Sequence, residues 1–152
     1  MQRQVSPPLT VAVDQPVELA SLPRADLVFY GVDHSGQSYE GRVFFNEPDA
    51  DISTPRDLEH GYAGSFHVFG HGRCYGDEGH CDPHSRVTDE FDVRPTHPLT
   101  PWTLTVIVTE ALKHMQPTEV TVTVVAVDHS GKRAAPSDAL AFEHVRLLLY
   151  EP

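Results

Sequence analysis

The sequence predicts an all-β fold: an antiparallel β-sandwich or jelly-roll barrel of about seven or eight strands with one short helix. Short segments in which apolar and polar residues alternate recur along the chain, as expected for strands with one buried face. Thirteen prolines and ten glycines suit short strands joined by turns and long loops. A chain of 152 residues with 39% hydrophobic content builds one core, so we expect a single domain over residues 1–152, with residues 1–8 as a flexible arm.

Four strands are predicted in the first half of the chain. They cover residues 9–13 (LTVAV), 26–33 (DLVFYGVD), 39–46 (YEGRVFFN) and 62–69 (YAGSFHVF). The string DHSG joins the second strand to the third, and it is a turn signal because Asp and Ser bond nearby amides. We therefore expect these two strands to form a hairpin. Residues 47–60 predict an acidic surface loop, and Asp49 and Asp51 do not complete a calcium site there.

The last third of the chain is the most regular. Residues 102–108 (WTLTVIV) and 118–128 (TEVTVTVVAVD) alternate as strands, and residues 109–115 (TEALKHM) predict a helix of one or two turns. Residues 139–150 predict a closing strand, with a helix as the alternative. The string VDHSG occurs at residues 32–36 and again at 127–131, but the flanking residues differ. We interpret the two copies as convergent turn chemistry.

Residues 70–101 predict a long functional loop, because they lack periodicity and such loops are uncommon within compact domains. The first half of this loop is rich in thiols, imidazoles and glycines. Copper(I) and zinc favour thiolate and imidazole ligands, and glycines let a chain wrap tightly around an ion. We predict a metal site there, with copper favoured over zinc, whose candidate ligands are His67, His71, Cys74, His80, Cys81 and His84.

The same loop has other interpretations. A Cys74–Cys81 disulfide would pin it and leave the histidines in solvent, and its Cys-x6-Cys spacing matches no standard zinc framework. A thiol nucleophile is a third reading, although nothing in the sequence positions an oxyanion hole.

The net charge of −11 argues against a nucleic-acid or anionic-membrane partner, because both require a basic face. No segment approaches the roughly 20 apolar residues of a spanning helix. The first ten residues, MQRQVSPPLT, lack the apolar core of a secretory signal. We expect a cytoplasmic protein, a chain that starts after processing, or a domain cut from a longer chain.

Three motifs in order resemble a known family. They are YAGSF at residues 62–66 before a histidine-bearing loop, LTVIVTEAL at 104–112, and VTVTVVAVDHSG at 120–131. Together they look like the carboxy-terminal β-domain of tyrosinases, plant polyphenol oxidases and molluscan haemocyanins. The resemblance covers roughly residues 26–149, most of the chain.

The resemblance implies a β-sandwich that packs over a type-3 dicopper site on a separate helical domain and shields it with a bulky side chain. This chain offers one short helix and lacks the six-histidine catalytic part, so we expect it not to be an enzyme by itself. Phe69 and Tyr75 are the candidate partner-facing side chains. Two alternatives remain: a stand-alone copper- or zinc-binding protein, and an interaction sandwich related to oxidases only in structure.

Overall fold

The protein is a sandwich of two antiparallel sheets in a computed structural model that describes residues 9–12, 18–71, 90–91, 100–132 and 141–150. The strands are β1 Leu9–Ala12, β2 Arg24–Val32, β3 Tyr39–Phe45, β4 Tyr62–Val68, β5 Trp102–Ile107, β6 Glu119–Asp128 and β7 His144–Tyr150. One sheet has four strands in the order β1-β6-β3-β4, and the other has three in the order β5-β2-β7. The described strands form no closed barrel, so the sandwich form of the prediction is confirmed.

The two sheets bury one core between them. The period of two along β6 turns Val120, Val122 and Val124 inward, where they meet Leu27 and Phe29 from β2. Phe29 lies at the centre of an aromatic cluster, with its ring 5.4 Å from that of Phe66 and 5.3 Å from that of Phe142. The valine alternation that predicted β6 therefore identifies the core face correctly.

The short helix closes one end of the core. α1 spans Thr109–Met115, the bounds expected from the sequence, and buries Ala111 and Leu112. The Thr109 hydroxyl accepts a hydrogen bond of 3.0 Å from the Ala25 amide and ties the helix to β2. Gln116 ends the helix in the left-handed conformation with φ of 45°.

The acidic segment after β3 packs on the outer face of the four-stranded sheet. Ala50 is 2% exposed and joins a second apolar cluster with Phe44, Val125 and Val127. The segment is thus a surface loop, as predicted, but it is held to the sheet by buried contacts as well as by charge.

A charged group fixes the same loop at its far side. Glu40 forms an ion pair of 3.1 Å with Arg42 and a second with Arg56, which also donates to the Tyr62 hydroxyl at 3.2 Å. Burial opposes ionisation of Glu40, but the bond from Arg42 and the charges of both arginines outweigh it and lower the carboxyl pKa.

The predicted hairpin between the second and third strands is wrong. β2 pairs with β5 on one side and β7 on the other, while β3 lies between β4 and β6 in the opposite sheet. Neither strand has a free edge for the other, so the chain must cross from one sheet to the other. The Asp33 amide donates to the Ala141 carbonyl at 2.9 Å. The backbone therefore stays hydrogen-bonded for one residue beyond the end of β2 before it crosses to the other sheet.

The remaining strand predictions hold for the described residues. The closing segment is a strand, β7, and its helical alternative is wrong. The predicted amino-terminal arm and most of the predicted loop at residues 70–101 lie outside the described residues. Among the helices that are described, none has the length and apolar character needed to cross a membrane.

Candidate functional site

The described residues around the start of the long loop form one compact group, which we call the histidine end. It consists of His34 from the crossing between sheets, Trp102 at the start of β5, and Phe69, Gly70 and His71 directly after β4. Three separate parts of the chain therefore meet where the Cys- and His-rich segment begins.

His34 is the buried centre of the histidine end. Its side chain is 5% exposed, and its ring stacks on Trp102 with centroids 4.0 Å apart and planes at 22°. Its Nε2 lies 2.7 Å from the Thr100 carbonyl oxygen. A carbonyl only accepts, so Nε2 carries the proton in this bond, and Nδ1 has no hydrogen-bond partner among the described residues.

His71 is held against His34 by its backbone and its ring. The His71 amide donates to the His34 carbonyl at 3.1 Å, and His71 Nδ1 lies 3.3 Å from the same oxygen. The two imidazole centroids are 5.1 Å apart with planes at 72°. The path of the chain at the start of the loop is thus fixed relative to the crossing that contains His34.

Gly70 makes this close passage feasible. Its amide donates to Ser38 Oγ at 3.0 Å. A Cβ at this position would lie 2.1 Å from the Gly36 carbonyl oxygen and 2.4 Å from the Gln37 carbonyl carbon. Both are backbone atoms that cannot rotate away, so only glycine fits here.

The structure separates the predicted site residues that it describes. His71 is half-buried in the histidine end, His67 is exposed on β4 opposite Glu40, and the Phe69 side chain is 72% exposed. The part of the chain that is described contains no group of three or more His, Cys, Asp or Glu side chains placed to hold a metal ion. The remaining predicted residues, Cys74, Tyr75, His80, Cys81 and His84, lie outside the described residues.

Sequence reasoning missed His34 and Trp102. His34 belongs to a string that reads as an exposed turn, and Trp102 reads as an ordinary core residue of a strand. A usable signal was the run LVFYGV in β2: nearly continuous apolar residues are typical of a central strand with neighbours on both sides. A central strand would have argued against a simple hairpin and for a buried crossing.

Two more polar groups mark this end of the sandwich. Tyr39 begins β3 and is 4% exposed, and its hydroxyl has no hydrogen-bond partner in the described part of the chain. Burial raises the pKa of this hydroxyl well above its usual range, so it stays neutral. Asp33 precedes His34, and bonds from Ser35 lower the pKa of its carboxyl. The histidine end is therefore bordered by a neutral phenol inside and an anion outside.

Comparison with known proteins gives a match in structure only. No protein-family model matches the chain, and no curated protein matches it. Among solved structures, the chain is similar to a recombinantly expressed latent aurone synthase, a polyphenol oxidase, at 19% identity and a TM-score of 0.51 over 93% of this chain. The same protein co-crystallized with hexatungstotellurate(VI) matches at 18% identity and 0.52 over 96% of this chain. The latent enzyme from its natural source matches at 19% identity and 0.51 over 96%.

These matches cover 24% of the polyphenol oxidase chain, so this protein spans about a quarter of its length. At such low identity the similarity concerns the fold. The chain therefore shares nearly its whole fold with a domain-sized part of a polyphenol oxidase.

Proposed function

We propose that this protein is a non-catalytic domain of the tyrosinase and haemocyanin carboxy-terminal type, which shields or partners a type-3 copper oxidase. The observation that carries this proposal is the uneven coverage of the match. The similarity takes in 93–96% of this chain but 24% of the polyphenol oxidase chain. A fold that is similar over nearly its whole length to one part of an oxidase supports an accessory domain rather than a complete enzyme.

Phe69 is the side chain best placed to meet the partner. It is 72% exposed, yet it lies between a β-strand and two residues whose backbones are hydrogen-bonded to the crossing, Gly70 and His71. An aromatic ring on a fixed backbone loses little conformational freedom when it docks. Burying such a ring contributes about 1.5–3 kcal/mol, or roughly a 10- to 150-fold gain in affinity.

The test uses the helical dicopper domain of a phenol oxidase freed of its own carboxy-terminal domain. Adding this protein should lower the initial rate of catechol oxidation in a saturable way. Phe69→Ala should weaken the effect roughly tenfold or more. Ile107→Ala is the matched control, because Ile107 is 60% exposed but lies at the end of β5 away from Trp102. If the protein neither binds the dicopper domain nor changes phenol turnover, the proposal is overturned. Binding without inhibition would support a partner role and exclude shielding.

A second function is favoured by the paired imidazoles. His34 and His71 lie at the entrance to the segment with both cysteines, and thiolate and imidazole together suit copper(I) and zinc. We propose, as the alternative, a metal-binding protein that holds copper, or less favourably zinc, through this segment.

Elemental analysis separates the two functions. Protein purified without chelators should carry close to one copper or zinc per chain, and the Cys74→Ser/Cys81→Ser double variant should lose it. Metal retained by the double variant would remove the cysteines from the site. A disulfide between Cys74 and Cys81 would instead appear as protein with no metal and no titratable thiol until it is reduced.

A further inference from the structure

We propose that two copies of this chain associate through the outer edge of β7, with the two strands antiparallel across a two-fold axis at Leu148. The proposal goes beyond the shielding function and does not depend on it. Among the described strands β7 pairs with β2 alone, so that part of the chain leaves the backbone groups on its other side unpaired. A second β7 can bond these groups, and the two three-stranded sheets would then join into one continuous sheet.

The described strand edges differ in how well they are protected. β1 has only four residues, and very short edge strands offer little to a partner. β4 and β5 lie close together: a Cβ on Gly64 would be 2.7 Å from Val106 Cγ1 and 3.5 Å from the Ile107 carbonyl oxygen. β7 has seven residues and contains neither proline nor glycine. Among the described strands, β7 is therefore the long edge that is left open.

The hydrophobic core is incomplete at this edge. Val145, Leu147 and Leu149 pack against the core but remain partly exposed. Phe29 and Leu27, which lie opposite Val145 and Leu147 on the central strand, are 0% exposed. A strand added beside β7 would bring its own inward-facing side chains against these residues and remove them from water, which is the main driving force of association. The edge thus offers apolar surface as well as backbone groups.

The side chains of β7 fit a second copy of the same strand. A two-fold axis perpendicular to the sheet keeps each residue on its own face of the sheet. With the axis at Leu148, this side chain meets its own copy. Leu147 then lies opposite Leu149 of the second copy, and Arg146 lies opposite Tyr150 of the second copy. This register sets no like charges opposite each other along the described strand, whereas an axis at Arg146 would oppose two guanidinium groups.

The pair formed by Arg146 and Tyr150 would repeat a contact that exists within the chain. Arg24 lies directly opposite Tyr150 on β2, and its guanidinium carbon is 5.7 Å from the centroid of the Tyr150 ring. Arg146 is exposed and forms no ion pair or hydrogen bond with the described residues. Tyr150 is 43% exposed, so its ring can accept a second cation. Two copies would therefore supply each other with the arginine that this side of the ring lacks.

Sedimentation velocity measures the association directly. The net charge of −11 opposes it, so the protein is studied at about 0.15 M salt, where charges are screened beyond about 8 Å. We expect a monomer that dimerises as its concentration rises, with a dissociation constant of about 1–100 μM, because one strand pair is a small interface. A chain that stays monomeric up to about 1 mM would overturn the proposal.

Two charge variants at the axis test the register. Leu148 lies opposite Asp26 on the outer face of the sheet, so Leu148→Lys and Leu148→Glu spare the core. Each variant alone sets two like charges opposite each other across the axis and should weaken dimerisation about tenfold or more. An equimolar mixture of the two should restore it as a heterodimer.

Ile107→Lys is the matched control for these variants. Ile107 lies opposite Asp26 on β5, as Leu148 does on β7, and it is 60% exposed. This variant should dimerise as the unaltered chain does. A dimer that both Leu148 variants leave intact, or that Ile107→Lys weakens equally, would refute the β7 interface.

Amide hydrogen exchange of the unaltered chain decides the matter if the variants fail to fold. The β7 amides that point away from β2 should exchange more slowly as the protein concentration rises, because pairing protects them. The amides of His129 and Ser130, in an exposed turn, should exchange at an unchanged rate. Protection that appears with concentration elsewhere but not in β7 would place the interface on another surface and overturn the proposal.

Discussion

The two copies of VDHSG have the same residues but form different structures. In the first copy, at residues 32–36, His34 is buried and the chain crosses from one sheet to the other. In the second copy, at residues 127–131, His129 is exposed and the chain turns at the surface. Identical sequence thus yields a buried junction in one place and a solvent-exposed turn in the other.

What the copies share is the local hydrogen bond of the aspartate. Asp33 Oδ1 accepts from the Ser35 amide at 2.8 Å, and Asp128 Oδ1 accepts from the Ser130 amide at the same distance. Only the second copy then closes on itself, since the Gly131 amide donates to the Asp128 carbonyl at 3.0 Å. Local hydrogen bonds therefore fix the bend, and contacts with distant segments determine whether it becomes a buried crossing or a surface turn.

The largest expected difference between the copies is in stability. His34→Ala removes the ring that stacks on Trp102 and leaves the Thr100 carbonyl without its donor. We expect it to lower the free energy of unfolding by about 2–4 kcal/mol. His129→Ala should change it by less than about 0.5 kcal/mol, as at other exposed positions. Urea unfolding of both variants checks this, and equal effects would contradict the contrast.

The next largest difference is expected for two glycine substitutions, one at Gly70, which packs against the first copy, and one at Gly131 within the second. Gly70→Ala forces a Cβ against the backbone of the first copy and should cost about 1–3 kcal/mol. Gly131→Ala meets no atom within 4 Å, but its φ of +76° costs about 1 kcal/mol. The same unfolding experiment measures both, and a Gly70→Ala variant as stable as the unaltered chain would show that the strand end is not held against the crossing.

The smallest expected difference is in the response to acid. Hydrogen bonds from Ser130 and Lys132 lower the pKa of Asp128, and bonds from Ser35 lower that of Asp33. A lowered folded-state pKa gives stability that is present above the unfolded value, about 3.9, and is lost as the pH falls through the folded value. Asp128→Asn should therefore make the free energy of unfolding depend less on pH at acid pH, and by more than Asp33→Asn does, because Asp128 accepts from more donors. Identical curves for the two variants would contradict this ordering.

Periodicity predicts much of this fold because one face of each element is buried. α1 spans its expected residues. The inward face of β6 is also the expected one, because only one orientation of the strand buries Val120, Val122 and Val124 together. The second VDHSG copy is the expected turn, because the bonds of Asp128 are local and are encoded within five residues.

The pairing of strands could not be predicted in the same way. Whether β2 and β3 share a sheet depends on the strands that occupy their edges. One of these, β7, lies more than a hundred residues from β2 in sequence, since Arg24 pairs with Tyr150. For the same reason, sequence places His71 in the site but not His34, whose role depends on Trp102 and Thr100 from a distant segment. A residue in a turn-forming string can therefore be predicted to be exposed although contacts with distant segments bury it.

Chemical-shift mapping tests most directly whether the histidine end meets the copper oxidase. The ¹⁵N-labelled chain is mixed with the helical dicopper domain at several times its own concentration. The proposed function predicts changes at the amides of His34, Phe69, Gly70 and His71 and at the Trp102 indole, with residues 129–131 unchanged. Changes confined to residues 129–131, or no changes at all, would contradict it.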